Sequence, residues 1–333
     1  MNVLLDRHQA DLFYAMQLLF EGRLGMPVYT PLGREWWDEG YWQFGAVFGD
    51  DRLARQYIHP NAAWEMTPET GIYTTIDLHH TDRPIHGLGL ATARTMPWAV
   101  VMATVQENQP GFARFAAEVG AKFFYQVGNT RQQIDWSLDP ICLNSTADVA
   151  LTGRGALVAQ EFDTARTFRY RPPEDRRSVA SFVNLLPLIP DPWAAFNDLR
   201  VRLPDWRFRS FGHECPDGLL RPVGEIADEM ARTGWGFMDK VTGDGFGHVI
   251  HNWAAVGRPL IGHARYYQGQ RAAYFWRDLE TCIDLDRHSP DEAAEIMRDM
   301  SADEHEAMCR AIRAVLDAEL DFAADAEKVR ALL

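Results

Sequence analysis

Residues 239–261, DKVTGDGFGHVIHNWAAVGRPLI, constrain this chain more than any other stretch. The apolar GWGFM before them reads as a short buried strand, and Thr242-Gly243-Asp244-Gly245 is loop chemistry. Val249, Ile250, Trp253, Ala254 and Val256 then recur at helical spacing until Gly257, which caps the helix, and Pro259 opens a further strand, PLIGH. A strand that feeds a glycine-rich loop and then a helix gathers backbone N–H groups at one point, where the helix N-terminus favours an anion. Gly245 and Gly247 let the backbone come close to such a ligand. The stretch therefore predicts a site for a phosphate-bearing molecule.

Around it, strand-like and helix-like segments alternate, which predicts an α/β fold with mainly parallel sheets. VLLD (3–6), a helix over 10–25, MPVYTPLG (26–33), WAVVMATV (98–105), a helix from Pro110 to Gly120, KFFYQVGN (122–129), CLNST (142–146) and GALVAQEF (155–162) make up a first set. FRYRPPEDRRS (168–178), with its Pro pair and dense charge, reads as a linker. The alternation restarts with VASFVNLLP (179–187), a helix entered through Asp191-Pro192, the strand WRFRSFGHE and a helix over 222–234 with Gly at its end. CIDLD (282–286), a helix over 289–300 and one long helix from about Asp303 complete it. A chain of 333 residues can bury two cores, so the expectation is two domains, 1–172 and 178–333.

The pattern D-G-F-G-x7-A-x-G-R-P resembles the E-G-F-G…E-A-x-A-x-G-x-P donor signature of retaining glycosyltransferases (glycosyl transferases group 1). The resemblance implies the GT-B architecture, two Rossmann-like domains facing a central cleft, with the last helix crossing back to the first domain. It implies a hexosyl- or pentosyltransferase whose donor is a UDP- or GDP-sugar, with no obligatory metal. In that family the first acidic residue contacts the transferred sugar, the glycines and helix end hold the diphosphate, and a second Glu eight positions on binds the ribose. Asp244 and Asn252 stand at those two positions here. An amide offers one acceptor oxygen where a carboxylate offers two.

The donor set implied is Gly212, His213, Lys240, Asp244, Gly245, Phe246, Gly247, His248, Asn252 and Arg258. Gly212-His213 stand where related enzymes bring backbone to the nucleotide, and His248 would donate to phosphate from the first helical turn. The family places an Arg or Lys near the end of the first strand of its second domain; Asn184-Leu185-Leu186-Pro187 stands there instead, so Lys240, Arg258 or the helix end must compensate. Asp244 would orient the sugar hydroxyls during transfer.

In the first half, Asp6, His8 and Asp11 lie where VLLD gives way to helix, a place suited to a base or proton shuttle; a helix cap by Asp11 and a surface histidine is the plainer reading. Asp6 and His8 join Asp244 as candidate catalytic residues. Asp77, His79, His80, Asp82 and His86 are metal-ligand types, but neighbours on a strand point to opposite faces, so a polar loop is favoured over a metal site. REWWDEGYWQF (34–44) reads as aromatic packing before sugar stacking.

The four cysteines are too far apart for a zinc knuckle or disulfide framework, and no basic region precedes the first apolar run, so the expected location is the cytoplasm. A net charge of −14 argues against general nucleic-acid binding. An enzyme glycosylating DNA bases, resting on Arg131 and the Arg-rich 166–177 stretch, is an alternative. So are a nucleotide-sugar epimerase, a phosphorylase and a non-catalytic nucleotide- or sugar-binding module. A pyridoxal-type phosphorylase needs a Schiff-base lysine, and the chain has only Lys122, Lys240 and Lys328.

Overall fold

The computed structural model describes residues 1–7, 10–44, 64–76, 83–220 and 222–333. The chain divides into two units, Met1–Phe162 with Phe322–Leu333, and Asp163–Asp321. The division falls at 162/163, earlier than the expected 172, because 163–172 belong to the second unit, and the C-terminal segment belongs to the first.

The first unit holds a nine-stranded sheet in the order β3-β4-β5-β2-β1-β6-β7-β8-β9. The strands are β1 (Asn2–Leu5), β2 (Val28–Pro31), β3 (Glu65–Thr67), β4 (Ile72–Ile76), β5 (Pro84–Leu88), β6 (Trp98–Ala103), β7 (Lys122–Val127), β8 (Ile141–Asn144) and β9 (Gly155–Leu157). All pairs are parallel except β3·β4 and β4·β5. Parallel sheets bury both faces, and β1 shows it: Val3 and Leu5 join one core cluster while Leu4 joins the other. Helix α1 (Ala10–Gln17) widens into a π-helical turn over Leu18–Arg23 and packs Phe13 and Met16 into the Val3 cluster. Helix α2 (Gln109–Val119) brings Phe112 and Phe115 to the other face and ends on Gly120 at φ 70°, a left-handed cap. The aromatics of 34–44 belong to that core: Trp36 is fully buried, donates to the Leu88 carbonyl at 2.8 Å and meets Phe115 edge-on.

The second unit has a five-stranded, all-parallel sheet in the order β11-β10-β12-β13-β14. These are β10 (Asp175–Ser181), β11 (Arg207–Ser210), β12 (Thr233–Phe237), β13 (Leu260–Gly262) and β14 (Cys282–Asp284); α3 (Pro190–Arg202), α4 (Val223–Arg232) and α5 (His248–Val256) join the first four, and α6 (Pro290–Asp299) and α7 (Ala302–Glu319) follow β14. The chain steps from β10 to β11 on one side and then to β12 on the other. Strand order reverses at β10, and ligands of open α/β sheets bind beyond the carboxyl ends of strands at such a point.

Several local expectations are corrected. The linker's charged end, Asp175-Arg176-Arg177, is already β10: Arg177 keeps its side chain exposed while Val179 and Ala180, further along the same strand, fill the core. Gly234 does not cap a helix; α4 stops at Arg232 and Gly234 lies in β12, where an added Cβ would come within 2.5 Å of the Arg176 carbonyl. The strand expected over 155–162 keeps only Gly155–Leu157. The long final helix is two, α7 and α8 (Phe322–Arg330), broken at Leu320-Asp321. Ala326 and Val329 of α8 enter the Val3 cluster, and Asp325 accepts from the Ala159 N–H at 2.6 Å. Among the described residues no helix is long and apolar enough to cross a membrane.

Candidate functional site

The 240–247 loop leaves the carboxyl end of β12 and enters α5, as the sequence predicts. Gly247 is the N-cap residue with φ 80°, and Gly257 closes the helix with φ 75°. Gly243, rather than Gly245, is the other left-handed glycine of the loop, and an added Cβ there would run into the Gln270 side chain. The loop is braced by that side chain: Gln270 Oε1 accepts from the Asp244 N–H at 2.7 Å. Lys240 Nζ lies 2.8 Å from Asp244 Oδ1, so two expected ligand-binding groups neutralise one another.

Below the loop, a buried aromatic stack sets the direction of α5. Phe246 is buried and lies flat on His251, with centroids 3.9 Å apart. His251 is fully buried; Nδ1 donates to the Gly247 carbonyl at 2.9 Å, and Nε2 accepts from the Tyr274 hydroxyl at 2.5 Å. This fixes the tautomer, and burial pushes the ring down to about 3, so it is neutral. His248 begins the helix with its ring 5.3 Å from Phe246. One turn on, Asn252 is half-buried and its Oδ1 is buried without a hydrogen-bond partner. Buried amide oxygens are rarely left so, which marks Asn252 as an acceptor awaiting a donor.

On the β10 side, Asn184 Oδ1 accepts from the His213 N–H at 3.0 Å, and Gly212, at φ 137°, sits so close that a Cβ would reach the same oxygen. Asn184 thus stands where a basic residue was looked for and shapes the Gly212-His213 turn instead. His213 itself is exposed.

Arg258 is corrected. It follows α5 at the end opposite Gly247, is fully buried, and donates to the carbonyls of Gly257, Ala231 and Arg171. A nine-residue helix separates it by roughly 13 Å from the anion-binding end. Asp6 is corrected too: it is fully buried at the end of β1, where Oδ1 accepts from the Thr104 N–H at 2.7 Å and Oδ2 from the Asn108 amide at 2.9 Å. Burial pushes it up to about 6 against the pull of these bonds, and both oxygens are spent on structure. His8 lies outside the described residues, as do Asp77, His79, His80 and Asp82. His86 shares a 3.1 Å hydrogen bond with Thr74. Among the described residues no three His, Cys, Asp or Glu side chains converge as metal ligands would.

Sequence reading missed Gln270 and a second pair on the same edge. Asp239, fully buried after β12, accepts from both the N–H and the Nδ1 of His263, at 3.1 and 2.7 Å, just after β13. No spacing rule reveals these partners, since parallel strand pairing brings them together across 24 residues.

No family model matches the chain, and no curated protein matches it in sequence. Solved structures do. The Anabaena protein HepE in complex with UDP superposes with a TM-score of 0.62 at 12% identity, over 100% of this chain and 99% of that one. This chain shares its fold. HepE in complex with UDP-glucose gives 0.62 at 11% identity over 99% and 98%. The α,α-trehalose 6-phosphate synthase of Burkholderia multivorans gives 0.55 at 12% over 100% and 99%.

Proposed function

We propose that the chain is a glycosyltransferase of GT-B type that takes a nucleoside-diphosphate sugar as donor, with UDP-sugars ahead of GDP-sugars. The observation that carries this reading is the Gly247-capped entry to α5 at the strand-order reversal, with the unspent Asn252 Oδ1 one turn along. The free N–H groups of the first helical turn suit a diphosphate, and Asn252 suits one ribose hydroxyl. Asp244 and Lys240 then part, the carboxylate to sugar hydroxyls and the ammonium to phosphate. In transfer the bond from the sugar's anomeric carbon to the diphosphate oxygen breaks, the acceptor hydroxyl oxygen bonds to that carbon, and the hydroxyl proton is released. HepE, whose fold the chain shares, holds UDP and UDP-glucose in its crystals, which supports the choice of donor.

The test is calorimetry and thermal shift with UDP, GDP, UDP-glucose and UDP-GlcNAc, followed by UDP release on incubation with sugar and alcohol acceptors. Binding of a nucleotide by the wild type, weakened in Asn252→Ala, is the expected result. Absence of any nucleotide response in the folded protein overturns the reading.

A further inference from the structure

The donor loop is clamped from the side by residues 270–272. Gln270 holds the Asp244 N–H, and a Cβ placed on Gly247 would lie 3.5 Å from Ala272 Cβ, which puts the residue between them beside the entry to α5. That residue is Arg271. The side chain is half-buried beside the Tyr274 hydroxyl, its guanidinium carbon lies 5.9 Å from the centre of the Phe246 ring, and its Nη1 is buried with no hydrogen-bond partner. Its charge also reaches His251 in the first turns of the helix. Of the other two cations near the motif, Lys240 rests on Asp244 until a ligand draws it away, and Arg258 is spent on three backbone carbonyls.

A buried guanidinium nitrogen without an acceptor costs stability and persists where something else fills it. The guanidinium fork matches phosphate oxygens, and here it stands next to the end of a helix that itself favours an anion. We infer that Arg271 is an anion-binding residue of this site and grips the diphosphate of the donor, an inference that rests on the nucleotide-sugar reading of the loop. It supplies the positive charge missing from the Asn184 position, from a segment with no signature in the sequence motif.

Calorimetric titration of wild type, Arg271→Lys and Arg271→Met with UDP and with pyrophosphate, at low and high salt, tests it. Loss of one charge-assisted contact should weaken both ligands about tenfold or more in the Met variant, with partial recovery in Lys and a shallower salt dependence. Melting of the unliganded Met variant should stay close to the wild type, because the buried nitrogen removed has no hydrogen-bond acceptor in the unliganded protein; an arginine that serves only the fold would lower it. Wild-type affinity for UDP and pyrophosphate retained in a folded Met variant overturns the assignment. Pyrophosphate binding lost in the variant, with no nucleotide bound by the wild type, leaves the anion site standing and removes the nucleotide-sugar reading. Failure of the wild type to bind either ligand removes both.

Discussion

Lys240 and Asp244 face each other across the donor loop with Nζ 2.8 Å from Oδ1. The ammonium side chain is 39% exposed, so the pair contributes about 0–1 kcal/mol to folding and a phosphate can draw the lysine away at small cost. Lys240→Ala should therefore shift stability by less than about 1 kcal/mol while weakening UDP binding about tenfold. Urea denaturation and calorimetry on the same preparation check both halves, and unaltered UDP affinity would count against a ligand role for Lys240.

Gly247 opens α5 at φ 80°, and an added Cβ would make only an ordinary contact with Ala272. The cost of Gly247→Ala is then conformational, about 1–2 kcal/mol. Asn, which tolerates the left-handed region better, should cost less. Equal stability of the Ala variant and the wild type in urea would contradict the geometry at this cap.

Acid should affect the two units in opposite senses. His251, held down near 3 by burial, stays neutral when folded but takes a proton when unfolded, so its unit loses stability as pH falls from 6.5 towards 3, by about 1.4 kcal/mol per pH unit. Asp6, raised to about 6 by burial, keeps a proton in the folded chain that the unfolded chain releases; its contribution is present below pH 3.8 and is lost as pH rises to 6. Chemical denaturation between pH 3 and 7 should show a shallower acid decline for His251→Phe and a steeper one for Asp6→Asn. Identical pH profiles for wild type and both variants would refute the assignments.

The three carbonyls that Arg258 holds predict a role in the fold. Arg258→Met leaves the carbonyls of Gly257, Ala231 and Arg171 without their donor and should cost about 1–3 kcal/mol. UDP affinity of the folded variant should equal that of the wild type. A selective loss of affinity would return Arg258 to the site.

The sequence by itself determined the strand–loop–helix–strand path through 233–262, the glycine cap that ends α5 and the alternation that makes the second sheet parallel and the first mainly so. These follow from local chemistry: hydrophobic period, helix caps and the φ angles only glycine adopts cheaply. Tertiary structure alone decided where the charges went. Arg258 and Arg271 look alike as residues near the motif, yet one is fully buried among carbonyls and the other stands beside the loop with an unfilled nitrogen. Asp6, expected in catalysis, is a buried brace between Thr104 and Asn108, and Asp239 meets His263 only because β12 pairs with β13. A polar side chain's role depends on which distant groups solvate it once water is excluded, and that is set by packing between segments far apart in the chain.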